Sequence, residues 1–328
     1  MNNKNLSRDS LIGFAVGDAL GVPVEFLTRN EVRSLHLTDM IGSDWFLPFK
    51  SNWSEIIPSG AWSDDTSMII AGMDSIIKNN GRIDYDDIMQ NFLNWWEHNQ
   101  YCSLDMAFGL GGVVSEALER YKSGCPALEC GGKGTYDNGN GSLMRILPFS
   151  LYAVKTDMSE KETVNFIGKA SSLTHAHDIS KMGCFIYTEF LRTIVHTGDK
   201  MIAFKNILKI DYSKYFSDEA VKAHKKILTP DFLNIRDTEI SEENGYIVAT
   251  LESVLYSILN TENYEKAVLT AINMGYDTDT VAGITGSLAG ILYGYESIPE
   301  RWLNVLRKKS ELEDLPEKFE TLSGVWNL

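Results

Sequence analysis

The sequence has few cysteines, fewer basic than acidic side chains and no long apolar run. Its four cysteines in 328 residues are too few for a disulfide scaffold, and no second pair accompanies Cys125 and Cys130 at a zinc-binding spacing. No run of about 18 apolar residues occurs, and the first ten residues lack the apolar stretch of a signal peptide. We therefore expect a cytoplasmic protein with reduced thiols and no membrane partner.

Basic side chains are outnumbered, because 30 Lys and Arg residues face 45 Asp and Glu residues, for a formal charge of −15. This balance argues against nonspecific binding to a nucleic-acid backbone, which attracts cationic surfaces. It still allows an anionic ligand, since a divalent metal can reverse the local charge inside a pocket. Hydrophobic residues at 44% and aromatic residues at 11% indicate a globular chain rather than a disordered one.

Apolar residues recur at helical spacing along most of the chain, and strand-like alternation is scarce. Leu11, Phe14, Ala15 and Leu20, for example, form one stripe. The pattern predicts helices at residues 6–20, 66–78, 85–98, 112–121, 159–173, 179–196, 219–228, 244–259, 264–272, 280–293, 300–309 and 315–322. No internal repeat and no linker divides the chain, so we expect one all-α domain over residues 1–328.

Two connections are long for a compact domain. Residues 38–60 form an aromatic-rich insert with little periodicity, and residues 125–141 are rich in glycine. Loops of this length are uncommon unless they serve a site. We therefore expect both segments to serve a site.

Three acidic clusters lie beside glycines at predicted helix boundaries, in residues 17–25, 62–66 and 275–280. Carboxylate and hydroxyl oxygens are the ligands that Mg²⁺ and Mn²⁺ prefer. The Asp-Asp-Thr and Asp-Thr-Asp-Thr turns together offer four carboxylates, more than one ion normally needs, so we predict a two-metal site. The cations would also offset the repulsion between the carboxylates. Each cluster alone could instead simply cap a helix.

Residues 136–145 read YDNGNGSLMR, and asparagine and glycine tolerate the positive φ of an anion-binding nest of backbone N–H groups. A helix beginning near Ser142 would add its positive end, which makes a diphosphate the natural occupant. The alternative is a plain Asn-Gly turn. Arg145 could pair with phosphate or with a structural carboxylate. His175 and His177 are two residues apart and share no helix face, which argues against a zinc pair.

Five segments, in this order, resemble the ADP-ribosylglycohydrolase family. They are GFAVGDALGVPVEF (13–26), WSDDT (62–66), NGNGSLMR (138–145), SLTHAH (172–177) and MGYDTDTVAGITGSLAGILYG (274–294). DTDTVAG followed by a helix of small residues is the most specific of the five. The resemblance implies an all-α orthogonal bundle in a single domain, with two Mg²⁺ or Mn²⁺ ions in a central cleft.

The resemblance also implies roles for individual residues. Six would be metal ligands: Ser63, Asp64, Asp65, Asp277, Asp279 and Thr280. Glu25 matches the acidic residue beside the metals, and Asp105 lies in a segment that looks like the one carrying a catalytic aspartate in bacterial arginine-specific members. We therefore expect catalysis from Glu25, Asp65 and Asp105.

Substrate contacts are implied in the same way. Asn140, Gly141 and Ser142 match the diphosphate-binding turn, and His175 matches a histidine near the ligand. Tyr276 stands where the family often has a second glycine, so we expect it to stack on the ligand or to narrow the entrance.

The resemblance implies a hydrolase that removes ADP-ribose from a modified protein or a small-molecule conjugate. The Asp105 segment favours the N-glycosidic bond of ADP-ribosylarginine. Serine-linked, nucleic-acid-linked, O-acetyl and poly(ADP-ribose) substrates remain open. Two further alternatives are a metal-dependent phosphohydrolase, which would release phosphate from the same carboxylate site, and a non-catalytic ADP-ribose binder.

Overall fold

The computed structural model describes residues 5–242 and 245–322, and within these ranges the fold contains α-helices and no β-strand. The all-α prediction is confirmed. The helices are α1 (Leu6–Gly21), α2 (Arg29–Ser34), α3 (Asp64–Lys78), α4 (Tyr85–His98), α5 (Gly112–Lys122), α6 (Leu147–Lys155), α7 (Glu160–Ser172), α8 (Asp178–Thr197), α9 (Lys200–Ile207), α10 (Asp218–Ala223), α11 (Ile247–Leu259), α12 (Tyr264–Ile272), α13 (Thr278–Tyr293), α14 (Glu300–Leu303) and α15 (Lys309–Glu320). Among the described residues, no helix is both long enough and apolar enough to cross a membrane.

The longer predicted helices are confirmed to within about two residues, but three predictions near chain turns are wrong. Helix α10 ends at Ala223, before the turn that leads to Pro230. Helix α14 ends at Leu303, because the Arg307 N–H bonds to the Gly60 carbonyl and Lys308 adopts a φ of 49°. The last helix begins earlier than predicted, at Lys309.

Three short helices, α2, α6 and α9, were not predicted. The helix expected to begin near Ser142 is also wrong, because Asn140–Ser142 forms a 3₁₀ turn and α6 begins only at Leu147. The predicted start of α11, Asn244, lies outside the described residues, and α11 begins at Ile247.

Helices α1 and α13, from opposite ends of the chain, pack backbone against backbone. A Cβ atom added to Gly17 would lie 2.1 Å from the Ala282 carbonyl oxygen, and one added to Gly286 would lie 2.1 Å from the Gly13 carbonyl oxygen. The buried Tyr264 hydroxyl closes this contact from α12 by donating to the Gly13 carbonyl at 2.6 Å. Only glycine allows helices to approach so closely.

The same contact aligns the end of α1 with the start of α13. The Thr278 hydroxyl donates to the Gly21 carbonyl at 2.8 Å, although the two residues are 257 positions apart in the chain. Glu25 follows α1 by four residues, and Asp277 caps α13. The packing of two helices therefore brings two of the predicted acidic clusters together.

We predict that Gly17→Ala lowers the free energy of unfolding by about 1–3 kcal/mol or more, because overpacking a core usually costs this much. Gly72→Ala is the matched control on α3, where the nearest side-chain atoms lie 3.6 Å or more from the added Cβ. That control should be neutral or stabilising by up to about 1 kcal/mol, because alanine is the better helix former. Urea unfolding of both variants checks this. Equal midpoints would contradict the close α1–α13 packing.

Candidate active site

The three acidic clusters meet around one cavity of about 220 Å³. Its acidic lining residues are Glu25, Asp64, Asp65, Asp277 and Asp279. Thr280, Asn140, Gly141 and His175 line the same cavity. The structure therefore brings together most of the residues that the sequence singled out.

The start of α3 is held by a buried carboxylate on α1. Asp18 is fully buried and accepts hydrogen bonds from the Ser63 N–H at 2.9 Å, the Thr66 N–H at 3.1 Å and the Thr66 hydroxyl at 2.6 Å. The Ser63 hydroxyl is the N-cap and accepts from the Asp65 N–H at 3.3 Å. Because Asp18 and Ser63 cap the helix, the side chains of Asp64 and Asp65 are left to face the cavity.

Several cavity oxygens lie close together, and two of the buried ones have no hydrogen-bond donor. Carboxylate oxygens of Glu25, Asp277 and Asp279 lie within 4.8 Å of one another. Within the described part of the chain, Asp65 Oδ2 and Asp279 Oδ1 are buried without a hydrogen-bond partner. Uncompensated buried oxygens of this kind are costly.

The electrostatics of the cavity resist full ionisation. Burial and the neighbouring Asp18 raise the pKa of Asp64 to about 8. Burial and nearby carboxylates also raise the pKa values of Glu25, Asp65 and Asp279 well above their ordinary range. Desolvation and like charge both disfavour the charged form of an acid. The cluster therefore requires either bound protons or added positive charge.

These residues fit hard divalent cations. The donors are carboxylate oxygens with a threonine hydroxyl beside them, which is the ligand chemistry of Mg²⁺ and Mn²⁺. The orphaned oxygens of Asp65 and Asp279 border the cavity. Positive charge there would satisfy both oxygens and favour the ionised state of the whole cluster.

One glycine makes room for the cluster. Gly109 has a φ of 91°, and a Cβ atom added to it would lie 2.1 Å from Asp64 Oδ1. The backbone of residue 109 therefore packs directly on this carboxylate, and no side chain fits between them. The sequence analysis did not single out Gly109.

The Asn-Gly turn contacts the acidic cluster through the side chain of Asn140. The Asn140 amide donates to Asp277 Oδ2 at 2.7 Å and to the Thr250 hydroxyl at 3.0 Å. His175 packs beside the turn, because a Cβ atom on Gly141 would lie 2.8 Å from its Cε1 atom. Burial and nearby Arg145 lower the pKa of His175 to about 3, so its imidazole is neutral.

Four predicted site residues are not among those that line this cavity. The Ser63 hydroxyl caps α3 by accepting from the Asp65 N–H. The Ser142 hydroxyl contacts Cys184 Sγ at 3.4 Å. The Tyr276 hydroxyl donates to Glu242 at 2.8 Å. Asp105 is exposed to solvent on the segment that precedes Gly109. Arg145 is buried and donates to the Ala170 carbonyl and the Thr174 hydroxyl, so neither alternative considered for it, phosphate or a carboxylate, describes its contacts.

Tyr276 instead contributes through its backbone. Its N–H donates to the Leu27 carbonyl at 2.7 Å, and its carbonyl accepts from the Phe26 N–H at 2.6 Å. Phe26 and Tyr276 have φ values of 67° and 61°, a region that glycine adopts more readily. This explains why a glycine would suit position 276, and it links the Glu25 turn directly to the Asp277 turn.

Besides Gly109, two contributors to the site were missed as individual residues. Asp18 lies within the first acidic cluster, but its position inside a helix gave no sign that it caps another one. Trp53, on the aromatic insert at residues 38–60, donates its indole N–H to Glu25 Oε2. The insert's length and aromatic content were the only signal for it.

The site is a cluster of buried carboxylates in an all-α scaffold, and comparison with known proteins identifies the class as glycohydrolases. The sequence pattern of the ADP-ribosylglycohydrolase family matches residues 2–327. The chain belongs to the ADP-ribosylglycohydrolase family.

The sequences of named relatives align with most of the chain. It is 30% identical over 316 residues to the ADP-ribosylarginine hydrolase Tri1 of Serratia proteamaculans, covering 95% of this chain and 78% of that protein. It is 26% identical over 307 residues to the ADP-ribosyl-[dinitrogen reductase] glycohydrolase of Rhodospirillum rubrum, covering 93% and 91% of the two chains. A solved ADP-ribosylglycohydrolase-related protein complex superposes with a TM-score of 0.76 at 26% identity, covering 98% and 99% of the chains.

We predict that Gly109→Ala weakens Mn²⁺ binding at least tenfold, because the added methyl displaces the Asp64 carboxylate. Gly124→Ala is the matched control: its φ of 93° is nearly the same, but nothing lies within 4 Å of the added Cβ. Both variants should lose about 1–3 kcal/mol of stability from backbone strain, and Gly109→Ala should lose more because its methyl also displaces Asp64. Titration calorimetry with Mn²⁺ separates the two effects. Equal Mn²⁺ affinities would show that Asp64 is not a ligand.

Proposed function

We propose that this protein is a divalent-cation-dependent hydrolase that removes ADP-ribose from modified acceptors, cleaving the N-glycosidic bond of ADP-ribosylarginine. The observation that carries the proposal is the convergence of five carboxylates from three distant segments on one cavity, two of them with orphaned oxygens. Membership of the family supports it. The arginine linkage is supported by two relatives named as ADP-ribosylarginine hydrolases.

The cation-binding residues in this proposal are Ser63, Asp64, Asp65, Asp277, Asp279 and Thr280. Two Mg²⁺ or Mn²⁺ ions, when bound, would supply Lewis acidity toward the ribose hydroxyls and water. Ser63 would have to release its capping contact with the Asp65 N–H, or share it, to act as a ligand.

Side chains of the protein would carry out the remaining steps of the reaction. A glycosidic bond breaks through an oxocarbenium-like transition state, which nearby negative charge and a well-held water favour. Glu25, which is 8% exposed at the cavity edge, would take the proton of that water as general base, with Asp65 as the second candidate. Asp105 would donate a proton or a hydrogen bond to the leaving guanidino nitrogen as its bond to the ribose breaks.

Recognition of the diphosphate would depend on the backbone. No lysine or arginine is among the described residues that line the cavity. The turn at Asn140, Gly141 and Ser142 would instead present backbone N–H groups to the phosphates. These would be the N–H groups of Gly141 and Ser142, because the Asn140 N–H is donated to the Gly245 carbonyl at 2.8 Å. The neutral imidazole of His175 would pack beside this turn, and Tyr276 would narrow the entrance only if its side chain left Glu242.

The proposal is tested by measuring release of free ADP-ribose, by mass, from a panel of arginine-, serine- and nucleic-acid-linked conjugates and O-acetyl-ADP-ribose, with and without EDTA. We expect release from the arginine conjugate that EDTA abolishes and Mg²⁺ or Mn²⁺ restores. Release of phosphate instead would identify a phosphohydrolase. Binding of ADP-ribose without turnover of any conjugate would identify a non-catalytic relative.

We predict that Asp277→Ala reduces ADP-ribose release more than about a hundredfold, beyond the 10–100-fold typical of residues that only orient a metal ligand. Mn²⁺ affinity should fall with it. Asp157→Asn, at an exposed carboxylate remote in sequence from the acidic clusters, is the control and should change neither quantity. Normal Mg²⁺-dependent release by Asp277→Ala would refute the metal assignment.

We predict that Asp105→Asn lowers kcat on ADP-ribosylarginine by about 10²–10⁴-fold, the usual contribution of a general acid or base. Its melting temperature and Mn²⁺ affinity should be unchanged, because Asp105 is exposed and outside the carboxylate cluster. A wild-type rate would exclude Asp105 from catalysis and remove the sequence argument for arginine.

A further inference from the structure

The aromatic insert at residues 38–60 is tied to the turn that carries Glu25. The Ser51 hydroxyl donates to the Pro23 carbonyl at 2.8 Å and accepts from the Trp53 N–H at 3.2 Å. The Trp53 carbonyl in turn accepts from the N–H groups of Ile56 and Ile57 at 2.9 and 2.8 Å. The backbone at Trp53 is therefore fixed with respect to the Glu25 turn by a chain of short hydrogen bonds.

The Trp53 ring also packs against another aromatic side chain. It packs against Phe108, with ring centroids 5.2 Å apart and planes tilted by 58°. Phe108 belongs to a small apolar cluster with Val22 and Ile57, separate from the main core. Phe108 precedes Gly109, whose backbone contacts Asp64. The indole thus lies between the segments that carry Glu25 and support Asp64.

The indole N–H of Trp53 donates to Glu25 Oε2. Within residues 5–242 and 245–322, this is the only hydrogen bond that the Glu25 carboxylate receives. The neighbouring groups Asp277 and Asp279, whose oxygens lie within 4.8 Å of Glu25, are carboxyl groups as well and do not donate to it. Glu25 follows a short 3₁₀ turn and lacks the helix N-terminus that stabilises Asp64 and Asp65, so no helix end helps to orient its side chain.

We infer that Trp53 is a positioning residue for Glu25: its N–H holds one carboxylate oxygen, so that the other faces the reacting water. This inference rests on the proposed role of Glu25 as general base. A donor of fixed direction that occupies one oxygen leaves the second free to accept a proton, and it restricts rotation of a flexible side chain. Trp53 itself would touch neither water nor substrate.

The inference is tested with Trp53→Phe, which keeps an aromatic ring against Phe108 and removes the N–H. We expect kcat on whichever conjugate is hydrolysed to fall about tenfold, at the lower end of losses for orienting partners, while KM changes less than twofold. Trp45→Phe is the matched control, because Trp45 lies on the same insert with 54% of its surface exposed; it should behave as wild type.

A double-mutant cycle distinguishes an effect of Trp53 through Glu25 from a nonspecific disturbance of the structure. If Trp53 acts through Glu25, then Trp53→Phe should lower kcat less than twofold when added to Glu25→Gln, because the base is already absent. A full tenfold loss in both backgrounds, or an unchanged kcat for Trp53→Phe alone, would overturn the inference.

An NMR measurement that needs no catalytic turnover tests the contact between Trp53 and Glu25 independently of the proposed function. The indole N–H resonance of Trp53 is assigned by its loss in Trp53→Phe, and Glu25→Gln should shift it because the acceptor loses its charge. If the wild type hydrolyses no conjugate, the proposed function fails, and a shifted resonance still supports the contact that holds Glu25. A resonance that Glu25→Gln leaves unchanged overturns the inference whatever the activity.

Discussion

The backbone contact between α1 and α13 is the constraint on which the site depends. Gly17 and Gly286 have no side chains to separate the helices, and the approach puts the Gly21 carbonyl within reach of the Thr278 hydroxyl. Carboxylates that repel one another cannot assemble a site by their own attraction. They are brought together because hydrophobic packing and helix contact elsewhere stabilise the fold enough to hold them there.

The buried carboxylates of the site differ in how their charge is compensated. Asp18 receives two backbone N–H groups and a hydroxyl, and burial raises its pKa only to about 6. Asp65 and Asp279 each keep a buried oxygen without a donor. Asp18 is therefore a structural acid that fixes the start of α3, whereas the other two retain free coordination capacity. This difference distinguishes the structural carboxylate of Asp18 from the candidate metal ligands Asp65 and Asp279.

The sequence predicted the helices with strong apolar periodicity and the segments that form the site, but not the direction of every side chain. Residues 62–66 and 275–280 were identified because carboxylates beside glycine at a helix start are chemically distinctive. The contact of Ser142 with Cys184 depends on α8, and the contact of Tyr276 with Glu242 depends on a connection 34 residues away in the chain. The end of α14 likewise depends on a bond from Arg307 to Gly60, which local periodicity does not encode.

A protein with a formal charge of −15 and an acidic cavity repels a diphosphate unless its local charge is reversed. The described cavity lining contains no lysine or arginine, and its histidine is neutral. The buried Arg145 donates to carbonyl and hydroxyl oxygens instead. Cations in the carboxylate cluster would remove that repulsion as well as satisfy the orphaned oxygens. Cation binding and substrate binding would then be thermodynamically linked, so each would increase the affinity for the other.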